Sequence, residues 1–475
     1  MTPDEFRKLG HELVEWIARY RETVEERPVM STASPGALRR ALPADPPEQG
    51  APLDGILEEV ERLLLPGITH WNHPAFFAYF PSNAALASVL ADFLSTGLGV
   101  QGMSWQTSPA ATELEEVVMD WLRRLVGLPA ELSGVIQDTA STATLVALLC
   151  ARERATGLGQ SRGGLAAEPR PLAVYASAEA HSSVEKAALL AGFGRAHLRL
   201  VETDRDYALS LDALARAIAQ DLAAGIRPAA LVATVGTTGT TAVDPVRGMA
   251  ELARAHGLWL HVDAAMAGSA MILPECRPLW DGVEQADSVV FNPHKWLGVA
   301  FDLCAYYVRD PGHLTAVMST NPSYLQTAAD ARVKNFRDWG IPLGRRFRAL
   351  KLWFLLREQG AEGLRARLRR DLANARWLQE QVDAAPDWQR LAPVPLQTVC
   401  LRHAPPGLDE TALAAHNRGW VERLNRSGRA YLTPAVIRGT QLVRVSIGAE
   451  TTERAHVERL WAAMQAAARE ELAAR

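Results

Sequence analysis

The sequence predicts an α/β protein built on a mostly parallel sheet covered by helices, with a helical amino-terminal arm and a small α+β segment at the carboxyl end. Three observations carry this. Near-continuous apolar runs at Leu172–Tyr175, Leu231–Val235, Leu258–Val262, Ser288–Phe291 and Leu303–Val308 alternate with helical segments, the pattern of strands buried on both faces. His181, Thr238, Asp263 and Lys295 each stand just past the end of such a run, at the sheet edge where ligands collect. Of 50 lysines and arginines only 5 are lysine: Lys8, Lys186, Lys295, Lys334 and Lys351.

The last observation gives Lys295 its weight. A chain that writes arginine wherever charge suffices keeps a lysine in Asn292-Pro293-His294-Lys295-Trp296, directly after a buried strand. An amine that can lose its proton does what a guanidinium cannot, and Schiff-base formation with an aldehyde is the commonest example. On the pentapeptide alone, an exposed lysine following a strand is the plain alternative.

Length and composition bound the rest. At 475 residues the chain exceeds one ordinary core, so one large domain with one or two smaller ones is expected. Hydrophobic content of 48% with 22% charged residues is ordinary for a globular protein. A net charge of −4 gives no basic footprint for nucleic acid or an anionic membrane. Cys150, Cys276, Cys304 and Cys400 are widely spaced and read as reduced, buried thiols of a cytoplasmic protein, with no disulfide framework and no metal site. The acidic start Met1-Thr2-Pro3-Asp4-Glu5 does not read as a secretory signal. The best apolar stretch, Ala84–Val100, is broken by Asp92 and falls short of the roughly 18 residues a membrane span needs.

In chain order, Thr2-Pro3-Asp4-Glu5 opens a helix with a capping-box pattern and proline at its first position. Phe6, Leu9, Leu13, Ile17, Tyr20 and Val24 form one apolar stripe along it, to be covered by a partner subunit or by the same chain. A proline-rich connection over 28–52 leads to a second amphipathic helix from about Asp54 to Leu65. Trp71 to Pro81 carries five aromatic rings and reads either as core or as the wall of a pocket for a flat ligand, with Ser82 beside it. Gln137 to Thr142 is a small-residue turn before a helix over Ala143–Arg152; free N–H groups there suit a phosphate, and simple capping explains the same residues. Ser182 with Glu185 reads as the cap of a helix over Val184–Ala191. Pro311–Gly344 has no clear period and reads as a long loop. A helix follows from Gly344 through Leu356, another over about Glu362–Val382, strands near Thr398–His403 and Leu442–Ile447, and a final helix striped by Val457, Leu460, Met464, Ala468 and Leu472.

An amine, an aspartate and an imidazole at one sheet edge, with a phosphate-suited turn upstream, fit pyridoxal phosphate. Lys295 would hold its aldehyde. Asp263, 32 residues earlier (295 minus 263), would keep the pyridine nitrogen protonated by direct ion pairing, so that the ring draws electrons. His181 would stack on the ring face.

Asn292-Pro293-His294-Lys295-Trp296, His261-Val262-Asp263-Ala264-Ala265 and Ala180-His181-Ser182-Ser183 resemble the signatures of the group II pyridoxal-phosphate decarboxylases, most closely the aromatic-L-amino-acid decarboxylases. His70 to Pro74, Phe76 to Pro81 and Ile341 to Arg348 look like that family too, so the resemblance spans nearly the whole chain. It implies a fold-type I homodimer. Residues 1–80 would form an arm swapped onto the partner, 81–358 a large cofactor domain with a lid over about 311–344, and 359–475 a small domain. It implies that Lys295 is the Schiff-base lysine, Asp263 the pyridinium partner and His181 the stacking residue that meets the substrate carboxylate. Ala140, Ser141, Ser288, Asn292 and His294 would cradle the phosphate, with Thr238 and Ala265 around the ring. Tyr324 matches the lid tyrosine that reprotonates the carbanion, the residue whose replacement by phenylalanine accompanies aldehyde synthases. Trp71, Tyr79, Phe80, Pro81, Ser82, Gln101, Met103 and Gly344 would line the substrate pocket, Gln101 and Met103 lent by the neighbouring subunit.

Some positions depart from the animal enzymes: Ser82 stands for threonine, Asp138 for glycine and Met266 for tyrosine, while Gln101 and Met103 replace apolar or aromatic residues. Gly344, by the same analogy, leaves room for a bulky ring. The expected activity is decarboxylation of an aromatic L-amino acid to its amine by a cytoplasmic homodimer. The rivals are an aldehyde synthase, a decarboxylase of a non-aromatic amino acid, and a cofactor-binding protein without turnover.

Overall fold

A computed structural model describes residues 1–320, 323, 329–330 and 332–474, in two compact units. One holds Ser82–Ala373 and Ala392–Thr398; the other holds Met1–Pro81, Asn374–Leu391 and Val399–Arg475.

The first unit is built on seven strands: β1 (Ser133–Gln137), β2 (Leu172–Ser177), β3 (Leu198–Val201), β4 (Arg227–Thr234), β5 (Trp259–Asp263), β6 (Ser288–Phe291) and β7 (Cys304–Val308). Their order is β1-β7-β6-β5-β4-β2-β3. The run from β3 through β6 is parallel, while β7 lies antiparallel to both β6 and β1. Every residue of β2, β5, β6 and β7 is buried, which is why these strands read as apolar runs rather than as alternation. The helix Ala140–Thr156 packs Ala143, Val146 and Ala147 into a core shared with Val174, Val232 and Val290.

Two polar groups inside this core tie strands to helices. His261 Nδ1 lies 2.9 Å from Ser288 Oγ, which also accepts from Trp259 Nε1 at 2.9 Å, and His261 Nε2 lies 3.4 Å from Thr144 Oγ1. Glu115 Oε1 accepts from Ile136 N at 2.8 Å and from Arg345 Nη2 at 2.7 Å, fixing the segment after Gly344 against β1. Removing either member of that buried pair would strand the other charge.

Burial pushes the His261 imidazole down to about 4, and burial followed by the Lys295 charge does the same to His294. An unfolded imidazole takes up its proton near pH 6.5, so between about pH 6.5 and 4 the unfolded chain binds more protons and stability falls with falling pH. Thermal melts of the parent and of His261→Gln should therefore converge as pH drops from 7 to 5, the parent losing more. Parallel pH dependence of the two would contradict this.

The second unit carries a four-stranded antiparallel sheet, β10-β11-β9-β8, from β8 (Trp388–Arg390), β9 (Thr398–His403), β10 (Thr433–Ile437) and β11 (Thr440–Ser446). Its first helix runs Pro3–Thr23, capped by Thr2 in a capping box with Glu5, and none of its residues is buried. Phe6 and Leu13 of the expected stripe are exposed; Val24, just beyond the helix, is buried. In the final helix, Arg454–Ala473, Val457, Leu460, Met464 and Ala468 are buried, while Leu472 is exposed.

Several expectations are corrected. The helix after the small-residue turn begins at Ala140, three residues earlier than read, because Thr139 caps it: its hydroxyl accepts from Thr142 N. Helix Ser182–Leu190 is capped by His181 and not by Ser182. The stretch read as one loop from Pro311 opens with a helix, Pro311–Met318, capped by Asp310. The helix expected from Gly344 starts at Ala349 and runs to Ala384, with a break at Gly360, whose φ is 63°.

Candidate active site

Because β2, β4, β5 and β6 are parallel, their carboxyl ends share one edge of the sheet. Thr234, Asp263 and Val290 stand side by side there by register. Three segments leave this edge with reactive groups. After β2, His181 caps the next helix: its Nδ1 accepts from Ser183 N at 3.2 Å and lies 2.8 Å from Ser183 Oγ. With Nδ1 accepting, the neutral ring carries its proton on Nε2. Burial holds this imidazole below its ordinary value; the Asp263 charge pulls it up and the Lys295 charge pushes it down. His181 therefore lies within electrostatic reach of both charges, which stand at or just past the ends of the neighbouring strands β5 and β6.

Asp263 ends β5, almost wholly buried, with Oδ1 accepting from Ala265 N at 3.0 Å. Ala265 O accepts from Asn292 N at 2.8 Å, joining the turn after β5 to the one after β6. Lys295 follows in a single π-type turn, Pro293–Leu297, at φ −100° and ψ −108°, neither helical nor extended. Beside it, His294 Nδ1 accepts from Leu303 N at 3.0 Å and its ring lies 4.7 Å from Phe301. Thr238 is exposed in the turn after β4, where Thr237, Thr240 and Thr241 are buried. In that turn Gly236 takes φ 82°, a conformation that suits glycine.

At the start of the Ala140–Thr156 helix, the Thr139 hydroxyl and carbonyl take the N–H groups of Thr142 and Ala143. The N–H groups of Ala140 and Ser141 precede those, with Ser141 exposed. Asp138 turns one oxygen to Thr139 N at 2.6 Å.

Not every expected residue joins this group. Ser288 opens β6 instead of closing it; it stands four positions before Asn292, about 13 Å of extended strand, and its hydroxyl is committed to His261 and Trp259. Gln101, Met103 and Gly344 form a separate cluster: Gln101 Oε1 accepts from Arg345 N at 2.6 Å, Met103 O from Arg337 N at 2.9 Å. A side chain at Gly344 would meet Gln101 Nε2 at 3.2 Å. Trp71, Tyr79, Phe80 and Pro81 belong to the second unit, Ser82 to the first. There Trp71 stacks on Phe76 at 4.5 Å and on Tyr79 at 5.7 Å, with Arg444 over Phe80 at 5.0 Å. Phe76, Phe77 and Phe80 are buried, as core; Trp71 and Tyr79 are exposed. Tyr324 lies outside the described residues. A cavity of about 680 Å³ lined by Glu25, Arg27, His73 and His456, within the second unit, holds none of these residues. Among the described residues no cluster of His, Cys, Asp or Glu could hold a metal ion, and no helix is long and apolar enough to cross a membrane.

Residues 35–404 match the family model described as "Pyridoxal-dependent decarboxylase conserved domain". The chain belongs to the pyridoxal-dependent decarboxylase family. A phenylacetaldehyde synthase of Arabidopsis thaliana is 42% identical, over 98% of this chain and 96% of its own. Tyrosine decarboxylase 3 of Petroselinum crispum is 41% identical over 98% and 92%. A solved structure of Oryza sativa TDC with PLP and tryptamine superposes with a TM-score of 0.96 at 38% identity, covering 99% of both chains.

The cofactor of this pyridoxal-dependent family fits the residues present. An amine, a buried carboxylate and an open helix start are the three partners that an aldehyde, a pyridine nitrogen and a phosphate require. Asn292 Oδ1 is also buried without a hydrogen-bond partner, an arrangement proteins keep where something else completes it. The residues sequence reasoning missed here are Asn83, whose Nδ2 donates to Lys295 O at 3.0 Å, and Arg367 and Asp371, which bond the residues after the lysine.

Proposed function

We propose that this member of the pyridoxal-dependent decarboxylase family converts an aromatic L-amino acid into its amine and carbon dioxide. The observation that carries the reading is the placement of Lys295, Asp263 and His181 at the carboxyl edge of one sheet, the imidazole within electrostatic reach of both charges. Bound pyridoxal phosphate supplies an electron sink for the pair released when the bond to the carboxylate carbon breaks. Lys295 would hold the aldehyde carbon until substrate arrives. Asp263 would keep a proton on the ring nitrogen. His181, its imidazole held below the ordinary value by burial, would present Nε2–H towards the substrate carboxylate. Ala140, Ser141, Asn292 and His294 would receive the phosphate, with Thr238 and Ala265 beside the ring. Tyr324 would give its phenolic proton to the α-carbon. Trp71, Tyr79, Phe80, Pro81, Ser82, Gln101, Met103 and Gly344 are proposed to line the substrate's path.

The aromatic choice is supported by relatives named for tyrosine and for phenylacetaldehyde. A homodimer is supported by apolar faces left open: Leu86, Leu90, Phe93, Leu94 and Leu98 on the helix Leu86–Leu98 are all exposed, as are Phe6, Leu13 and Val14 on Pro3–Thr23. Patches of this kind mark association surfaces. Four free, buried cysteines suit the reducing cytoplasm.

Product analysis tests the reading. Purified holoenzyme would be offered phenylalanine, tyrosine, dihydroxyphenylalanine, tryptophan and glutamate, with amine, carbon dioxide, aldehyde and peroxide followed. Amine and carbon dioxide from an aromatic substrate are expected. Aldehyde with peroxide, which the 42% identity to a phenylacetaldehyde synthase makes the rival outcome, would replace it.

A further inference from the structure

Besides the bonds that the turn carrying Lys295 makes for itself, such as Lys295 N to Asn292 O at 2.9 Å, its carbonyls are held from outside. Ser82 Oγ donates to His294 O at 3.2 Å and Asn83 Nδ2 to Lys295 O at 3.0 Å. Arg367 Nη1 donates to Trp296 O at 2.9 Å, its Nη2 to Leu297 O at 2.6 Å, and Ala85 N to Gly298 O at 2.9 Å. Five consecutive carbonyls thus have partners on two distant segments. The indole of Trp296, only 2% exposed, donates to Asp371 Oδ2 at 2.9 Å, one helical turn beyond Arg367.

We infer that Arg367 and Asp371, with Asn83, are positioning residues for Lys295: they fix the peptide units around the lysine so that its amine is delivered to the cofactor aldehyde from one direction. The inference rests on Lys295 being the cofactor lysine. A guanidinium fork is the side chain suited to two successive carbonyls, since its donors are held at a fixed spacing; an ammonium is a single point charge on a flexible stem. Asp371 has no exposed surface, and it lies 3.4 Å from Arg370 Nε as well as at the Trp296 indole. An acceptor of that kind holds the large Trp296 ring in one orientation. The backbone from which the adjoining lysine stem starts is then fixed by a packed residue.

The test uses holoenzyme of the parent, Arg367→Lys, Asp371→Leu, Asp371→Asn and Trp296→Phe. Four quantities are read: cofactor release rate after dilution, kcat and KM separately, melting of the cofactor-free protein, and mass mapping of the lysine captured by borohydride. Arg367→Lys and Asp371→Leu should release cofactor and lose kcat by roughly 10- to 100-fold with KM nearly unchanged. The melting of their cofactor-free forms should stay within a few degrees of the parent. Asp371→Asn, which keeps an acceptor for the indole, should rescue most of the loss. If Asp371→Leu does not fold, Trp296→Phe, which removes the indole donor along with part of the ring, should show the same faster release. Lower melting with unchanged release and kcat would make the contacts merely structural and overturn the inference, as would an Asp371→Asn variant as impaired as Asp371→Leu. Capture of a lysine other than Lys295 in the parent would instead remove the functional reading itself.

Discussion

Lys295→Ala should lower amine formation by at least about 10⁴-fold and abolish covalent capture of pyridoxal phosphate by borohydride. The other four lysines offer no substitute. Lys351 is fully buried and donates to Asp302 O at 2.9 Å; Lys8 and Lys334 are paired with acidic residues, and Lys186 lies in the helix Ser182–Leu190. Lys295→Arg makes the sharper comparison. It keeps the charge and much of the length, yet a guanidinium stays protonated and forms no imine, so it should be as inactive as the alanine variant while melting like the parent. Activity in the arginine variant above a few per cent of the parent would mean that the residue serves by charge alone.

Tyr324→Phe should lower amine formation by roughly 10²- to 10⁴-fold, the usual contribution of a positioned proton donor, and raise aldehyde. When the carboxylate leaves as carbon dioxide, an electron pair remains at the α-carbon. A phenol can protonate that carbon, and the benzene ring of phenylalanine cannot. Dioxygen can then take two electrons and become peroxide, and hydrolysis releases ammonia and the aldehyde, so peroxide, ammonia and aldehyde should rise in equal amounts. Amine formation at the parent rate, with no peroxide, would assign the proton to another donor.

The sheet was legible because burial on both faces writes itself as uninterrupted apolar runs; β2, β4, β5, β6 and β7 each lie on such a run. The short β8 was not, since only Trp388 of its three residues is buried. Nor was β10, which begins Thr433-Pro434 and turns a single fully buried residue inward. Pro311–Met318 hid because only Leu314 is buried in it, although Asp310-Pro311 was a readable cap and first turn. The reactive group at Lys295, Asp263 and His181 was legible because each stands at or a few positions past the carboxyl end of a strand. Ser288 was assigned by resemblance alone; as the first residue of β6 it stands at the opposite end of that strand from Asn292. Arg367 and Asp371 gave no signal: inside a long charged helix they look like any solvated pair, and only the packing of that helix reveals what they hold.

The parallel order of β2, β4, β5 and β6 also governs when the site can exist. His181, Thr238, Asp263 and Lys295 are separated by 57, 25 and 32 residues (238 minus 181, 263 minus 238, 295 minus 263); the first interval makes two crossovers by way of β3 and the other two make one each, all returning to the same edge. No local fragment of the chain holds two of these groups together. Chains dominated by such non-local pairings assemble slowly, since each crossover must close before the next contact rewards it. A cofactor held by these four groups would therefore recognise only a chain whose sheet has already formed, binding as a late seal on a finished scaffold.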